Sequence, residues 1–401
     1  MAKTIWVINY FAGTPESGWG ERHFYFSKYW IKQGYKIRII SGSFNHLFKK
    51  TTEVIGLYKH EIYEGVDFYW VKTPKYRAAS IWRFYSMLIF MVKVFFLGVK
   101  KLGKPDVVIV SSMPIFPILN GYYLKKKFGS KLLFEIRDIW PLTLEQLGNK
   151  SKNHPAVRFI GWFEKFGYRK ADTIVSLLPY ARKHIESVAG KAVNFQYIPN
   201  GIDPKAIGYE KIPANLENKI PKNKFIIGYA GSIGLANALE YLIEAAIQLD
   251  DGDGVFFMIV GDGPLREKLE ERTQGCRNIL FYSKIKKSQI QNLLSHFDVC
   301  FVGRNDLPLF KHGVSANKYF DYMLSGKPIL DSNNYIKDPV ELSECGLIVE
   351  PDSTAAIIDG ILKIKSLTED ERRSMGEMGK RFVIKHHSIA NLAKDYTNLF
   401  K

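Results

Sequence analysis

The sequence predicts an α/β protein built from two Rossmann-like, doubly wound parallel-sheet domains. Three observations carry that reading. The chain has 401 residues, about twice an ordinary domain. Short runs that are apolar on every residue recur between helix-length stretches, as in parallel strands covered on both faces. One segment rich in turn residues divides these runs into two series.

The first series comprises residues 5–8, 37–40, 107–110, 132–136 and 173–176. The pattern loosens over residues 200–224, through Asn200-Gly-Ile-Asp-Pro and then Lys211-Ile-Pro-Ala-Asn-Leu-Glu-Asn-Lys-Ile-Pro-Lys-Asn-Lys224. The second series comprises residues 225–229, 256–260, 279–282, 299–302, 329–330 and 347–349. Two such sheets facing each other create a cleft at the carboxyl ends of their strands, where ligands of this class bind.

With 46% hydrophobic and 24% charged residues, the composition is that of a soluble globular protein with a sizeable core. Its charge is split unevenly. Residues 1–200 carry 31 Lys and Arg against 13 Asp and Glu, a net +18, whereas residues 201–401 carry −1. Apart from simple solubilising charge, such an excess implies a polyanionic partner, either nucleic acid or an anionic membrane surface. No RNA-binding signature, zinc-finger spacing or base-stacking pattern of aromatics accompanies it, so a membrane surface is expected and nucleic acid is not.

Cys276, Cys300 and Cys345 are odd in number and lack C-x-x-C spacing, which suits a reducing cytoplasm and argues against a disulfide framework or a zinc site. Met1-Ala-Lys-Thr-Ile-Trp-Val leads straight into a strand pattern, unlike a secretory signal. Residues 84–99 fall short of the roughly 20 apolar residues of a membrane span, and Lys93 interrupts them. Two readings remain: a buried crossover helix, or a helix lying partly in the lipid interface, with Trp82, Phe84 and Tyr85 at the headgroup boundary and Lys100 and Lys101 on anionic lipid.

The most informative segment is residues 311–330. Ser315 is a candidate N-cap for a helix over 316–324 that ends before Ser325-Gly326-Lys327-Pro328. The first-turn amides would attract phosphate. Lys318, Asp321 and Tyr322 fall at i, i+3 and i+4, putting a cation beside a carboxylate on one face. The alternative is an ordinary helix with both charges solvated. A nucleotide sugar suits the pair, because its diphosphate leaving group gains charge while its ribose offers hydroxyls to a carboxylate.

Four further loops follow strand runs. Phe11-Ala-Gly-Thr-Pro-Glu-Ser-Gly18-Trp-Gly20-Glu21-Arg22 has glycines that let backbone approach a phosphate or sugar. It lacks G-x-G-x-x-G spacing, and Ile39-Ile-Ser-Gly42 supplies no acidic residue for a nicotinamide ribose, which counts against an NAD enzyme. Arg137-Asp138-Ile-Trp140-Pro141 places a guanidinium, a carboxylate and an indole at a strand end, either as a reactive set or as a structural ion pair beside a core tryptophan. Ala230-Gly231-Ser232-Ile-Gly-Leu-Ala-Asn237 is a small-residue turn into a helix and a possible phosphate cradle, and Gly261-Asp262-Gly263-Pro264 is a tight turn before another helix.

Tyr229-Ala-Gly231, Val260-Gly-Asp-Gly-Pro264, Gly313-Val-Ser-Ala-Asn-Lys-Tyr-Phe-Asp321 with Gly326-Lys-Pro328, and Ile198-Pro-Asn-Gly-Ile-Asp203 together resemble the family 4 glycosyltransferases of GT-B fold across essentially the whole chain. Arg137-Asp-Ile-Trp-Pro141 with Val314-Ser-Ala-Asn-Lys318 is most similar to the subgroup that builds bacterial O-antigen and capsule repeats, often from UDP-linked amino sugars. The resemblance implies an N-terminal acceptor- and membrane-facing domain over residues 1–205, a C-terminal donor domain over 206–387, and a last helix within 388–401 that crosses back to the first domain.

The resemblance assigns donor binding to Gly18, Gly20, Gly231, Ser232, Asn237, Gly261, Asp262, Gly263, Gly313, Val314, Ser315, Asn317, Lys318 and Asp321, with Asp321 on the ribose. It assigns acceptor contacts to Glu21, Arg22 and Trp140, and catalysis to Arg137, Asp138 and Lys318. The chain departs from the family at several of these positions. Gly313 and Asp321 stand where two glutamates are usual, Ser232 and Asn237 where an arginine and a lysine are usual, and Arg137-Asp138 where relatives often have a histidine. Lys318 and helix-end amides would then carry the diphosphate charge.

The resemblance further implies a retaining transferase that needs neither metal nor cofactor and moves a hexose or N-acetylamino sugar from a nucleotide donor, often UDP-linked in such relatives, to a polyprenyl-diphosphate-linked saccharide at the inner face of the cell membrane. A non-catalytic glycosyltransferase-like subunit and a GT-B sugar-nucleotide epimerase are the alternatives.

Overall fold

A computed structural model describes residues 2–77, 80–249, 251–334 and 338–401. The chain divides into two compact units, Met1–Asn200 with Ile389–Lys401, and Gly201–Ser388. The first boundary lies five residues before the expected one, because Ile202 bridges Ser388 and so joins the second unit.

The first unit runs β1 (Thr4–Ile8), α1 (Arg22–Lys32), β2 (Lys36–Gly42), β3 (Tyr58–Tyr63), β4 (Val66–Val71), α2 (Trp82–Phe95), α3 (Val99–Leu102), β5 (Val107–Ser111), α4 (Ile118–Phe128), β6 (Lys131–Ile136), α5 (Trp140–Gln146), α6 (Pro155–Lys170), β7 (Thr173–Ser176), α7 (Arg182–Ala189) and β8 (Phe195–Tyr197). Its eight strands are ordered β3-β4-β2-β1-β5-β6-β7-β8, so the winding reverses between β1 and β5. The sheet is parallel as expected except at one edge, where β3 pairs antiparallel with β4. Glu64 and Gly65, with φ of 45° and 80°, make the two-residue turn between them.

The second unit runs α8 (Ala214–Glu217), β9 (Phe225–Ala230), α9 (Leu239–Gln248), β10 (Val255–Val260), α10 (Arg266–Arg272), β11 (Ile279–Tyr282), α11 (Ile290–Ser295), β12 (Val299–Gly303), α12 (Asn317–Ser325), β13 (Ile329–Ser332), α13 (Pro339–Ser343), β14 (Gly346–Val349), α14 (Thr354–Ser366) and α15 (Glu369–His387). Its six strands are all parallel, in the order β11-β10-β9-β12-β13-β14. Here the winding reverses between β9 and β12, and a switch point of this kind opens a crevice at the strand ends.

The last helix, α16 (Ile389–Leu399), belongs to the first unit and packs on α1. Trp30 of α1 donates its indole N–H to the Ala393 carbonyl at 3.0 Å, and its ring meets those of Tyr396 and Phe400 at 5.4 and 5.2 Å. Under this contact lies Glu135, a fully buried carboxylate inside the apolar strand β6. It accepts from Arg22 Nε at 3.1 Å, from Ser111 Oγ at 2.7 Å and from the Tyr396 hydroxyl, and it sits 3.3 Å from His23 Nε2. Burial alone would raise its pKa, yet Arg22, His23 and Arg137 hold it well below the usual carboxylate range. One anion thus ties β6, α1 and α16 together.

Glu135→Ala removes the carboxylate partner that the buried Arg22 guanidinium has among the described residues, so it is expected to destabilise the protein by about 3–5 kcal/mol in chemical denaturation. A loss below about 1 kcal/mol would show that Arg22 is satisfied without it.

Candidate active site

In the second unit the candidate donor residues gather where β9 and β12 end and α12 begins. The helix starts one residue later than the sequence suggests. Ala316, not Ser315, is its N-cap, and an alanine offers no side-chain acceptor to the first amides. It ends at Gly326 with φ 70°, as the Ser-Gly-Lys-Pro stop implies.

Lys318 and Tyr322 face β9. The Tyr322 hydroxyl accepts from the Ala230 amide at 2.8 Å and donates to the Ala230 carbonyl at 3.1 Å, which pins the strand end to the helix. The Lys318 ammonium lies 4.4 Å from the Tyr229 ring centroid and donates to the Tyr229 hydroxyl at 3.0 Å and to Asn237 Oδ1 at 2.6 Å. Asn237 also accepts from Arg304 Nη1 at 3.1 Å, while its own Nδ2 donates to the Ser232 carbonyl at 2.9 Å. Two cations therefore share one amide oxygen. Among the described residues, neither forms an ion pair with a carboxylate, and the buried Arg304 Nε has no hydrogen-bond partner. Burial and the nearby Arg304 charge hold the Lys318 pKa well below the usual lysine value.

The expected pairing of Lys318 with Asp321 is corrected. Asp321 points to the other flank, where Lys287 Nζ meets Oδ1 at 2.6 Å and Oδ2 at 2.5 Å. Beyond Lys287, the ends of β10 and β11 frame a groove of about 460 Å³ lined by Arg266, Tyr282, Ser283, Lys284 and Gln289 among others. Val314 and Ser315 form the partly buried approach to α12, and Asn317 is exposed at its start.

Several glycines expected to contact the donor instead serve their own loops. A Cβ at Gly261 would lie 1.8 Å from the Gly231 carbonyl oxygen, so glycine is required for the two loops to touch. A Cβ at Gly263 would likewise lie 2.2 Å from the Ile233 carbonyl oxygen. Asp262 is committed to Arg266 at 2.7 Å and to the Lys284 amide at 3.3 Å. Gly313, with φ 88°, closes the 3-10 turn Pro308–His312. The one Asp-x-Asp spacing, Asp251-Gly252-Asp253, forms a turn at the amino end of β10, away from the strand ends that gather these residues.

In the first unit, Arg22 is corrected as an acceptor contact. Its guanidinium is buried and engaged by Glu135, the Ile198 carbonyl at 2.8 Å and the Pro199 carbonyl. Glu21 precedes α1 as its N-cap residue without a side-chain cap bond. Gly20, with φ 82°, allows the Phe11 carbonyl to approach within 1.9 Å of where a Cβ would stand, so it serves the turn; Gly18, with φ 70°, ends the 3-10 turn Pro15–Ser17. At the end of β6, the Arg137 amide donates to Ser112 Oγ at 3.1 Å and Asp138 is exposed. Trp140 opens α5, with its buried indole N–H lacking a partner.

Two family profiles match these two units. One, described as Glycosyltransferase Family 4, covers residues 20–206, and the other, described as Glycosyl transferases group 1, covers residues 224–366. The chain belongs to the family 4 glycosyltransferases. The putative colanic acid biosynthesis glycosyl transferase WcaI of Escherichia coli (strain K12) is 26% identical over 387 residues, 90% of this chain and 91% of that protein. Sucrose-phosphate synthase from Thermosynechococcus elongatus matches with a TM-score of 0.75 at 17% identity, over 99% of this chain and 98% of that one. Anabaena HepE, solved with UDP and glucose, matches with a TM-score of 0.68 at 12% identity, over 99% of both chains. These likenesses place the fold of this glycosyltransferase in the GT-B class.

Sequence reasoning missed Arg304, Tyr229 and Lys287 in this glycosyltransferase. Arg304 had a usable signal, because it stands one residue past the strand run 299–302 and so at a carboxyl end. Asp331, at the end of β13, was missed as well. Buried beside Asp338, it is pushed up to about 7, although the Tyr319 hydroxyl donates to it at 2.6 Å. The native state therefore holds this proton where the unfolded chain, with a carboxyl near 4, releases it. Its contribution to stability is full below about pH 4 and lost as the pH rises to about 7. Denaturation midpoints of wild type relative to Asp331→Asn should fall over that window and level off above it, and a pH-independent difference would show that Asp331 is ionised throughout.

Proposed function

We propose that this glycosyltransferase moves a sugar from a UDP-linked donor, with retention at the anomeric carbon, onto a lipid-diphosphate-linked saccharide in bacterial surface polysaccharide synthesis, and that it works as a peripheral protein on the cytoplasmic face of the membrane. The observation that carries this reading is the convergence of Lys318 and Arg304 on Asn237 beside the start of α12. Cations drawn together without an ion-paired carboxylate among the described residues, at a helix end that adds its own positive potential, suit a dianionic group.

The rest of a nucleoside diphosphate follows along the same strand ends. The ribose falls to Asp321, whose carboxylate can accept hydroxyls as well as Lys287 because ionised oxygens offer about four acceptor sites. The base falls to the groove beyond Lys287. That UDP accompanies HepE, and that WcaI is named for colanic acid biosynthesis, support the choice of donor and pathway class.

In the proposed step the bond from the anomeric carbon to the diphosphate breaks, the acceptor oxygen bonds to the same face of that carbon, and the acceptor proton passes to the departing phosphate. Lys318 and Arg304 stabilise the charge that develops on the leaving group, the role a metal would otherwise take. Transfer is therefore expected to persist in the presence of a chelator.

Lys318→Ala and Arg304→Ala should each weaken UDP binding by about 1.5–3 kcal/mol in titration calorimetry. Because the free-state Lys318 pKa is depressed, the lysine loses its proton earlier than an ordinary lysine, so wild-type affinity should decline as pH rises through that value. Unchanged affinity in both variants would remove the cations from the donor site. No turnover with any nucleotide sugar and lipid-diphosphate acceptor would overturn the proposed reaction.

A further inference from the structure

Helix α2 is apolar nearly all the way round, and packing explains only half of it. Met87, Phe90 and Val94 are buried against the first unit's core. On the opposite side Trp82, Tyr85, Val92 and Phe96, the last being the cap residue, are 61%, 47%, 44% and 70% exposed. Their spacing sets them along one stripe of the helix. The stripe continues sideways, since α2 neighbours α4 and α4 neighbours α6. Phe95 meets Tyr123 of α4 at 5.5 Å, Tyr122 meets Phe166 of α6 at 5.2 Å, and Phe166 stacks on the half-exposed Trp162 at 5.4 Å.

The charge on this face is mostly positive, with Lys125 of α4 paired to the Asp172 carboxylate just past α6 at 2.6 Å. Helices α2, α3, α4 and α6 together carry eleven Lys and Arg and one carboxylate, Glu164, which is buried and accepts from Tyr168 at 2.9 Å. Lys127 lies 5.2 Å over the Tyr123 ring, so cation and aromatic surface are interleaved. Between α2 and α4 a groove of about 680 Å³ is lined by Phe95, Phe96, Tyr123 and Leu124, with Lys100 and Lys127 also on its wall.

We propose that the α2–α4–α6 face docks flat on an anionic lipid bilayer, with the Trp82–Phe96 stripe at the boundary between headgroups and acyl chains and the lysines on lipid phosphates. Aromatic rings and long cationic side chains are the groups that gain most at that boundary. A protein partner would be expected to meet several unpaired carboxylates on so large a face, whereas one on which cations far outnumber carboxylates is complementary to phosphate. The inference rests on the proposed lipid-linked acceptor, and its test separates the two.

Full-length protein is sedimented with vesicles of phosphatidylcholine alone or mixed with phosphatidylglycerol. Binding to the mixed vesicles is expected to be at least about tenfold stronger and to weaken with salt. Combined Trp82→Ser, Tyr85→Ser and Phe96→Ser, or combined Lys126→Glu and Lys127→Glu, should each lower it by about tenfold, with circular dichroism confirming that the variants fold. Equal binding to neutral vesicles, or variants that sediment like wild type, would overturn the docking face while leaving the acceptor proposal standing. Loss of vesicle binding in the variants, with transfer only to water-soluble acceptors, would support the face and sink the acceptor reading. A wild-type dimer that the Trp82, Tyr85 and Phe96 substitutions dissolve would overturn the proposal by assigning the face to a second copy of the chain.

Discussion

The second unit is organised around two like charges that share one neutral acceptor. Lys318 and Arg304 come from different elements, α12 and the end of β12, and both donate to Asn237 Oδ1. Repulsion between them must be outweighed by the surrounding structure, and the hydrogen bonds show how. Tyr322 fastens α12 to the end of β9, Asn237 is oriented by the Ser232 carbonyl, and the Arg304 backbone amide is held by the Ser332 carbonyl at 3.0 Å. A crevice at a reversal of winding supplies the space, and close contact between the Gly231 and Gly261 loops builds its wall.

The first unit solves the opposite electrostatic problem. There a single buried anion, Glu135, is surrounded by Arg22, His23 and Arg137, and its charge is consumed in holding β6, α1 and α16 together. The contrast explains why two buried arginines have different uses. Arg22 donates to a carboxylate and to backbone carbonyls, which leaves it little capacity for a ligand. Among the described residues the Arg304 guanidinium has neutral hydrogen-bond partners and an unpartnered Nε, so an arriving anion would relieve its situation.

Much of the fold was legible because parallel strands buried on both faces write themselves as unbroken apolar runs. The runs at 107–110 and 173–176 became β5 and β7 with little change. The hairpin β3–β4 was not legible, since β3 reads Tyr-Lys-His-Glu-Ile-Tyr and lies at an edge, where hydrophobic burial does not select its residues. Helix α12 was found to within a residue, but its faces were misread. Spacing alone puts Lys318 near Asp321; which neighbour each side chain prefers depends on Tyr229, Asn237 and Lys287, all distant in sequence. Arg22 misled for a related reason: nothing local announces that the Glu135 carboxylate will reach it from β6.

The departures from the family pattern become intelligible through the same geometry. Ser232 and Asn237 stand where relatives carry two cations, so on the proposed reading the diphosphate charge must be met from elsewhere. Asn237 cannot replace a cation, but its carbonyl oxygen can hold two of them, and it does so at the strand end where the lost side chains would have begun. The positive charge of this crevice therefore comes from α12 and from the residue that follows β12. Gly313 has no such substitute: at φ 88° it completes a tight turn, and the backbone that follows leads into an α12 start with an alanine at its N-cap. Contacts to the sugar at that position would therefore come from main-chain amides, whose geometry is set by the turn and does not depend on a rotamer.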